Sequence, residues 1–168
     1  MQIVFTSQRG FAFLELAIAL LIVLLLIGAI LGGAQLIKNV KIRTQIDELQ
    51  ALYAAVYTYF DRFLQLPGDS NADGYFDADS SVWNDIENHE LAYESKRSPF
   101  GTRYYFGADT AATPRAYRNG NYILVCLPLD VAENIDKQLD DGVNSTGVVT
   151  SSTAYTGTGK TDVYFFID

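Results

Sequence analysis

The chain has 168 residues, 49% of them hydrophobic, with 12 Lys and Arg against 20 Asp and Glu, a formal net charge of −8 and one cysteine. A pI near 4.5 argues against nucleic-acid binding, which needs clustered basic side chains on phosphates. The lone Cys126 excludes an intramolecular disulfide framework and a Cys-rich zinc site, and 11 Tyr with 10 Phe supply aromatic surface for a core, against disorder.

A mean hydropathy of +0.07 beside so many charges requires the apolar residues to be concentrated. They are: Phe11 to Ile37 is a run of 27 residues with one ionisable group, Glu15, and one other strongly polar residue, Gln35. About 20 apolar residues span a bilayer as a helix. A cleaved secretory signal has an apolar region of roughly 7–15 residues ending in small residues. This run is longer, and apolar residues continue beyond Gly28-Ala29-Ile30-Leu31-Gly32-Gly33, so the sequence predicts a segment retained at its far end. A carboxylate one turn inside such a run costs a few kcal/mol on insertion scales, which marks Glu15 as a functional candidate. The blander reading is a Glu that snorkels to the interface.

The run is preceded by a short polar leader, residues 1–10, ending in Gln8-Arg9-Gly10. Arg9-Gly10-Phe11-Ala12-Phe13-Leu14-Glu15-Leu16 resembles the processing motif of the type IV pilin and type II secretion pseudopilin family. The resemblance implies that a prepilin peptidase cuts between Gly10 and Phe11 and that Phe11 is N-methylated. It also implies that Glu15 neutralises a neighbouring subunit's terminal amine during assembly. Buried charges of both signs are costly unless paired, so the physics is consistent with that role. Two features depart from the family pattern: Gly32 stands where many members have Pro, and a single cysteine cannot form the disulfide loop common near the end of many pilins. Gly28, Gly32 and Gly33 either loosen the helix or form a small-residue packing face. Positive-inside counting sets Arg9 and the initiator amine against Lys38, Lys41 and Arg43. Alone it favours a cytoplasmic carboxy-terminal domain, whereas the resemblance implies the reverse on a more specific motif.

From Ile42, apolar residues recur at Ile46, Leu49, Tyr53, Val56, Phe60 and Phe63 in steps of four and three. This predicts an amphipathic helix with that stripe on the core and Arg43, Asp47, Glu48, Gln50, Thr58 and Asp61 elsewhere on its circumference. No proline interrupts the chain from Phe11 until Pro67, so one helix is expected from about Phe11 to Leu64, roughly 80 Å at helical rise. Leu66-Pro67-Gly68-Asp69 ends it.

Asp69, Asn71, Asp73 and Asp77 occupy positions 1, 3, 5 and 9 of an EF-hand-like calcium loop, with Gly74 at 6 and the Tyr75 carbonyl at 7. Position 12 is Ser80 rather than a bidentate Glu. The competing reading is a solvated turn whose Asp and Asn side chains bond local backbone. Eight carboxylates and no Lys or Arg between Asp69 and Glu94 favour a cation, because such density repels itself.

Arg103–Phe106, Tyr122–Leu127 and Val163–Ile167 read as strands, Leu129–Leu139 as a short helix with Asp130, Glu133 and Asp136 outward, and Gly142–Lys160 as an exposed Gly/Ser/Thr-rich loop. Several apparent motifs are set aside. Ala154–Thr161 matches a relaxed phosphate-binding loop but is followed by a strand rather than a helix. His89 sits among acids, Cys126 lies in an apolar strand, and no second acid opposes Asp140-Asp141 for glycosidic chemistry. Asn144-Ser145-Thr146 is a formal glycosylation sequon.

The expected architecture is α+β and pilin-like, a long amino-terminal transmembrane and amphipathic helix packed on a small antiparallel sheet. It comprises a leader (1–10), a transmembrane and assembly helix (11–37) and a globular domain (38–168). The expected function is a structural subunit of a type IV pilus or type II secretion pseudopilus, not an enzyme. Its expected partners are itself and other pilins, the prepilin peptidase, inner-membrane assembly machinery and membrane lipid. The expected location is the bacterial inner membrane, single-pass with a periplasmic or extracellular domain, and then the filament. The alternative is a non-polymerising single-pass membrane protein with an extracytoplasmic domain that binds calcium or a partner.

Overall fold

The computed structural model describes residues 9–91, 96–109 and 118–167, with the side chains of 9–12 and 31 set aside. The chain divides into two units, Met1–Val40 and Lys41–Asp168. One helix, α1 (Arg9–Phe63), contributes to both. Its apolar part meets every requirement of length and composition for a membrane span, and none of its most apolar stretch is buried within the chain. Such a helix near the amino terminus is compatible with a membrane anchor.

The second unit is α+β. After α1 come α2 (Asp79–Asn88), β1 (Tyr105–Asp109), β2 (Gly120–Pro128), α3 (Leu129–Leu139), β3 (Val149–Ser151) and β4 (Lys160–Ile167). The four strands form one sheet in the order β1-β2-β4-β3, each neighbouring pair antiparallel. Alternation puts Ile123, Val125 and Leu127 of β2 on one face with Val163, Phe165 and Ile167 of β4. Onto that core pack Leu49, Leu52 and Val56 of α1, Val82, Trp83 and Ile86 of α2, and Val131 and Ile135 of α3. Each large apolar side chain buried there contributes roughly 1.5–3 kcal/mol. The opposite face carries Tyr122, Tyr164 and Phe166, edge-to-face with centroids 5.1 Å (Tyr122–Tyr164) and 5.9 Å (Tyr122–Phe166) apart.

Both sheet edges are closed by carboxylates. Asp79 Oδ1 accepts from the Phe106 N–H of β1 (2.8 Å), and Asp140 Oδ2 accepts from Val148 and Val149 N–H at β3 (2.5 and 3.1 Å). An edge amide already bonded to an acid is a poor template for strand addition.

The long helix ends one residue before the expected Leu64, which adopts a left-handed φ of 54°. The apolar stripe is rotated relative to expectation. Phe60 and Phe63 are 41% and 45% exposed, while Leu52 and the polar Gln45 and Glu48 lie on the buried face. Tertiary partners explain the rotation. The Tyr104 phenol accepts from Gln45 Nε2 (2.7 Å) and donates to Glu48 Oε2 (2.6 Å), and Ser98 Oγ donates to Gln45 Oε1 (2.5 Å). Burial pushes both the Glu48 carboxyl and the Tyr104 phenol above their ordinary pKa ranges.

Three elements differ from the sequence expectation. The first strand runs Tyr105–Asp109 rather than Arg103–Phe106, because Gly107, Ala108 and Asp109 pair with Tyr122, Asn121 and Gly120 of β2. Helix α2 falls in a stretch read only as acidic; its Asp, Ser and Asn content disfavours helix, and burial of Val82, Trp83 and Ile86 overrides that preference. The Gly142–Lys160 connection is not wholly exposed. Val149–Ser151 is a buried strand, because Val149 pairs with Phe165 and Thr150 with Tyr164.

Candidate functional site

The candidate residues fall into two groups. In the first, Gly10 and Phe11 lie in the opening turns of α1, with side chains outside the described set, and residues 1–8 of the expected leader lie outside it too. Glu15 is exposed one turn later and has no ion-pair partner among the described residues. A Cβ added at Gly28, Gly32 or Gly33 meets nothing within 4 Å, so no contact inside the chain requires those glycines. In lipid, an unpartnered carboxylate on an apolar helix is costly, and a cation from another molecule relieves that cost.

The second group is the acidic loop, which the structure builds as a set of carboxylates folded onto backbone amides. Asp69 accepts from Asp73 N–H (3.2 Å, Oδ1) and Gly74 N–H (2.9 Å, Oδ2). Asn71 Oδ1 also accepts from Asp73 N–H (3.0 Å), and Asp73 Oδ1 from Tyr75 N–H (2.9 Å). Asp77 Oδ2 accepts from Ser70 N–H (2.8 Å) and Ser70 Oγ (2.5 Å), and these bonds hold its carboxyl below the ordinary range. Each carboxylate oxygen that accepts one bond keeps a second lone pair. Asn121 of β2 fixes the loop to the sheet: its Nδ2 donates to Gly74 O and its Oδ1 accepts from Phe76 N–H, both at 2.8 Å. Of the eight acids counted in this stretch, Glu94 lies outside the described residues.

Sequence reasoning set aside Asp140-Asp141 and expected Asp136 on the outward face of the short helix; the structure instead buries Asp136 and gathers the three acids into a second group. Asp136, Asp140 and Asp141 bring one ligand oxygen each within 4.8 Å of one another, and no other trio of His, Cys, Asp or Glu does so among the described residues. Asp136 is fully buried, accepts from Tyr155 OH (2.7 Å) and Gly142 N–H (3.2 Å), and is pushed above its ordinary range because burial outweighs those bonds. Asp141 accepts from Val143 N–H and Thr146 Oγ1, which hold it low. The available signal was the acid at the end of an amphipathic helix followed by Asp-Asp-Gly. Its partner Tyr155, 19 residues on, had no local signature.

The remaining candidates are also placed. His89 Nδ1 lies 2.7 Å from Asp85 O, and the ring packs on Phe63 (4.4 Å) and Tyr59 (5.3 Å). Cys126 is half-buried with its thiol pushed up, chiefly by burial. A raised thiol pKa makes it a poor nucleophile. No protein family, curated protein or solved structure matches the chain.

Proposed function

We propose that the chain is a structural subunit of a type IV pilus or type II secretion pseudopilus. A prepilin peptidase cleaves it after Gly10, and Phe11 is then N-methylated. It resides in the inner membrane as a single-pass protein with its α+β unit on the periplasmic side. Assembly proceeds by extraction from lipid and bundling of the apolar helices, with Glu15 on the terminal amine of a neighbouring copy fixing registry.

The observation that supports this reading is an apolar helix, exposed over residues 13–30 and again at Leu36, Ile37 and Val40, whose one ionisable side chain up to Ile37, Glu15, sits five places past a Gly–Phe junction. An apolar surface of that extent needs lipid or other helices around it. A carboxylate within it selects one pairing among many, as a polar group at a packed interface selects register. In this proposal the Asp69–Asp77 loop is a weak calcium site of the periplasmic unit.

Mass spectrometry of the mature protein tests the reading. The expected amino terminus is methylated Phe11; an intact Met1 in cells that carry the peptidase overturns it and leaves the non-polymerising single-pass protein. Glu15→Ala is expected to abolish filament yield while leaving membrane insertion unchanged, and full yield removes the registry role.

A further inference from the structure

The connection between α3 and β3 carries a feature that filament assembly does not use. Helix α3 ends at Leu139 and β3 begins at Val149. Between them Thr146 N–H donates to Val143 O (3.1 Å), closing a turn whose central residues are Asn144 and Ser145. Ser145, Thr146 and Gly147 are exposed, and Asn144 is partly exposed. Ser151 N–H donates to Asn144 O (2.8 Å), so the backbone of the turn is moored to the end of β3.

Asn is common in turns because its side chain bonds nearby backbone. Asn71 bonds in that way, its Oδ1 accepting from Asp73 N–H. The Asn144 carboxamide does not: it has no hydrogen-bond partner among the described residues. Its Nδ2 can therefore be presented to another molecule without breaking a bond. Among the asparagines of the chain, only Asn144 has Ser or Thr two places on, and the residue between is not Pro. That is the acceptor pattern for N-linked glycans. Thr146 Oγ1 donates to Asp141 Oδ2 (2.6 Å), which orients the hydroxyl and leaves its lone pairs open to a further donor.

We propose that Asn144, read together with the Thr146 hydroxyl, is the acceptor site for an N-linked oligosaccharide. The donor is a polyprenyl-diphosphate-linked oligosaccharide and the catalyst an oligosaccharyltransferase. The proposal rests on the placement of the α+β unit outside the cytoplasm, where such donors present their sugars. Asn144 Nδ2 forms a bond to the anomeric carbon of the first sugar. The bond from that carbon to the diphosphate oxygen breaks, and polyprenyl diphosphate leaves with the electron pair. Nδ2 gives up one proton to a base of the transferase, and nothing is oxidised or reduced. A bulky, solubilising group is compatible with an exposed turn outside helix and sheet.

Mass spectrometry of the full chain isolated from its native membrane tests this. Trypsin cuts after Lys137 and Lys160, so residues 138–160 form one peptide in which Asn144 is the only Asn. A hexose- or N-acetylhexosamine-containing adduct is expected on that peptide, placed on Asn144 by electron-transfer fragmentation. Asn144→Gln and Thr146→Ala, expressed in the same cells, are expected to lose the adduct completely, and Thr146→Ser to keep it. An unmodified peptide overturns the proposal. So does a glycan on a Ser or Thr of the same peptide, or one that persists in Thr146→Ala. The amino terminus of the same sample reads the pilus proposal separately. Methylated Phe11 with a bare Asn144 refutes only the glycan, and a glycosylated Asn144 behind an intact Met1 refutes only the pilus subunit.

Discussion

The Asp69–Asp77 loop and the Asp136–Asp141 segment use the same side chains, yet they hold them in opposite environments. In the first, Asp73 and Asp77 lie on an exposed turn with Asp69 buried at its start, all three accept local amides, and Asn121 anchors the turn to the sheet. In the second, Asp136 is sunk in the core and Asp140 reaches across to close the edge at β3. Composition therefore says little about what an acid does. What matters is how many of its bonds come from far away in the chain and how much water is left around it.

The largest expected contrast is between two glycines. Gly74 and Gly147 both have left-handed backbone, at φ 84° and 81°. A Cβ at Gly74 meets nothing within 4 Å, whereas one at Gly147 lies 1.7 Å from Asp140 Oδ2. A side-chain tip usually moves aside cheaply, but this one is pinned by Val148 and Val149 N–H. Gly74→Ala should cost only the left-handed penalty, about 1–2 kcal/mol. Gly147→Ala adds two unpaired amides and should cost about 3–5 kcal/mol. Urea unfolding of the detergent-solubilised chain measures both; equal losses break the contrast.

Next is removal of one acid from each region. Asp136→Ala takes the buried acceptor from the part-buried Tyr155 hydroxyl and Gly142 amide, and should cost about 2–4 kcal/mol. Asp77→Ala leaves the Ser70 amide and hydroxyl exposed to solvent, so its effect should fall within the scatter of surface substitutions. A loss at Asp77 as large as that at Asp136 would show that local hydrogen bonding outweighs burial.

The two regions should also respond to pH with opposite slopes. Asp136 is raised from 3.8, so the native state holds its proton more tightly than the unfolded chain. Its contribution to stability is fullest below 3.8 and declines as pH rises through the raised value. Asp77 is lowered from 3.8, so its contribution is present above 3.8 and disappears as pH falls through the depressed value. Measured as unfolding free energy against pH, the penalty of Asp136→Asn should shrink as pH rises above 3.8. The penalty of Asp77→Asn should shrink as pH falls below it. Parallel profiles would remove the environmental distinction.

The same distinction explains what was legible beforehand. The strands at Tyr122–Leu127 and Val163–Ile167, the start of β1, α3 and the α1 boundary came from aromatic and β-branched runs and from Pro67-Gly68, all local signals. The acidic loop was legible because its ligand-like spacing is contained in nine residues. Gln45, Glu48 and Tyr104 were not, because a phenol 56 or 59 residues away makes their burial tolerable. Strand β3 was hidden by its Ser, Thr and Gly neighbours and exists through pairing with β4.

Calcium provides the smallest expected effect and the sharpest discrimination. Asp136, Asp140 and Asp141 are the closer trio, but Asp136 is buried and raised, and Asp140 and Asp141 are spent on amides and a hydroxyl. An ion there must displace bonds that close a sheet edge. In the Asp69–Asp77 loop each carboxylate oxygen of Asp69 and Asp73 accepts one local bond and keeps a second lone pair, so an ion can be held without displacing those bonds. With Ser80 in place of a bidentate acid, affinity should resemble that of weak extracellular modules, about 1 mM. Calcium at about 10 mM should then stabilise the chain by roughly 1.4 kcal/mol, a shift of about 4 °C in the melting transition. Asp73→Ala should abolish that shift and Asp141→Ala should leave it intact. The reverse pattern would assign the ion to the trio. No shift in the unsubstituted chain would make the loop a self-capped turn whose carboxylates serve only its own backbone.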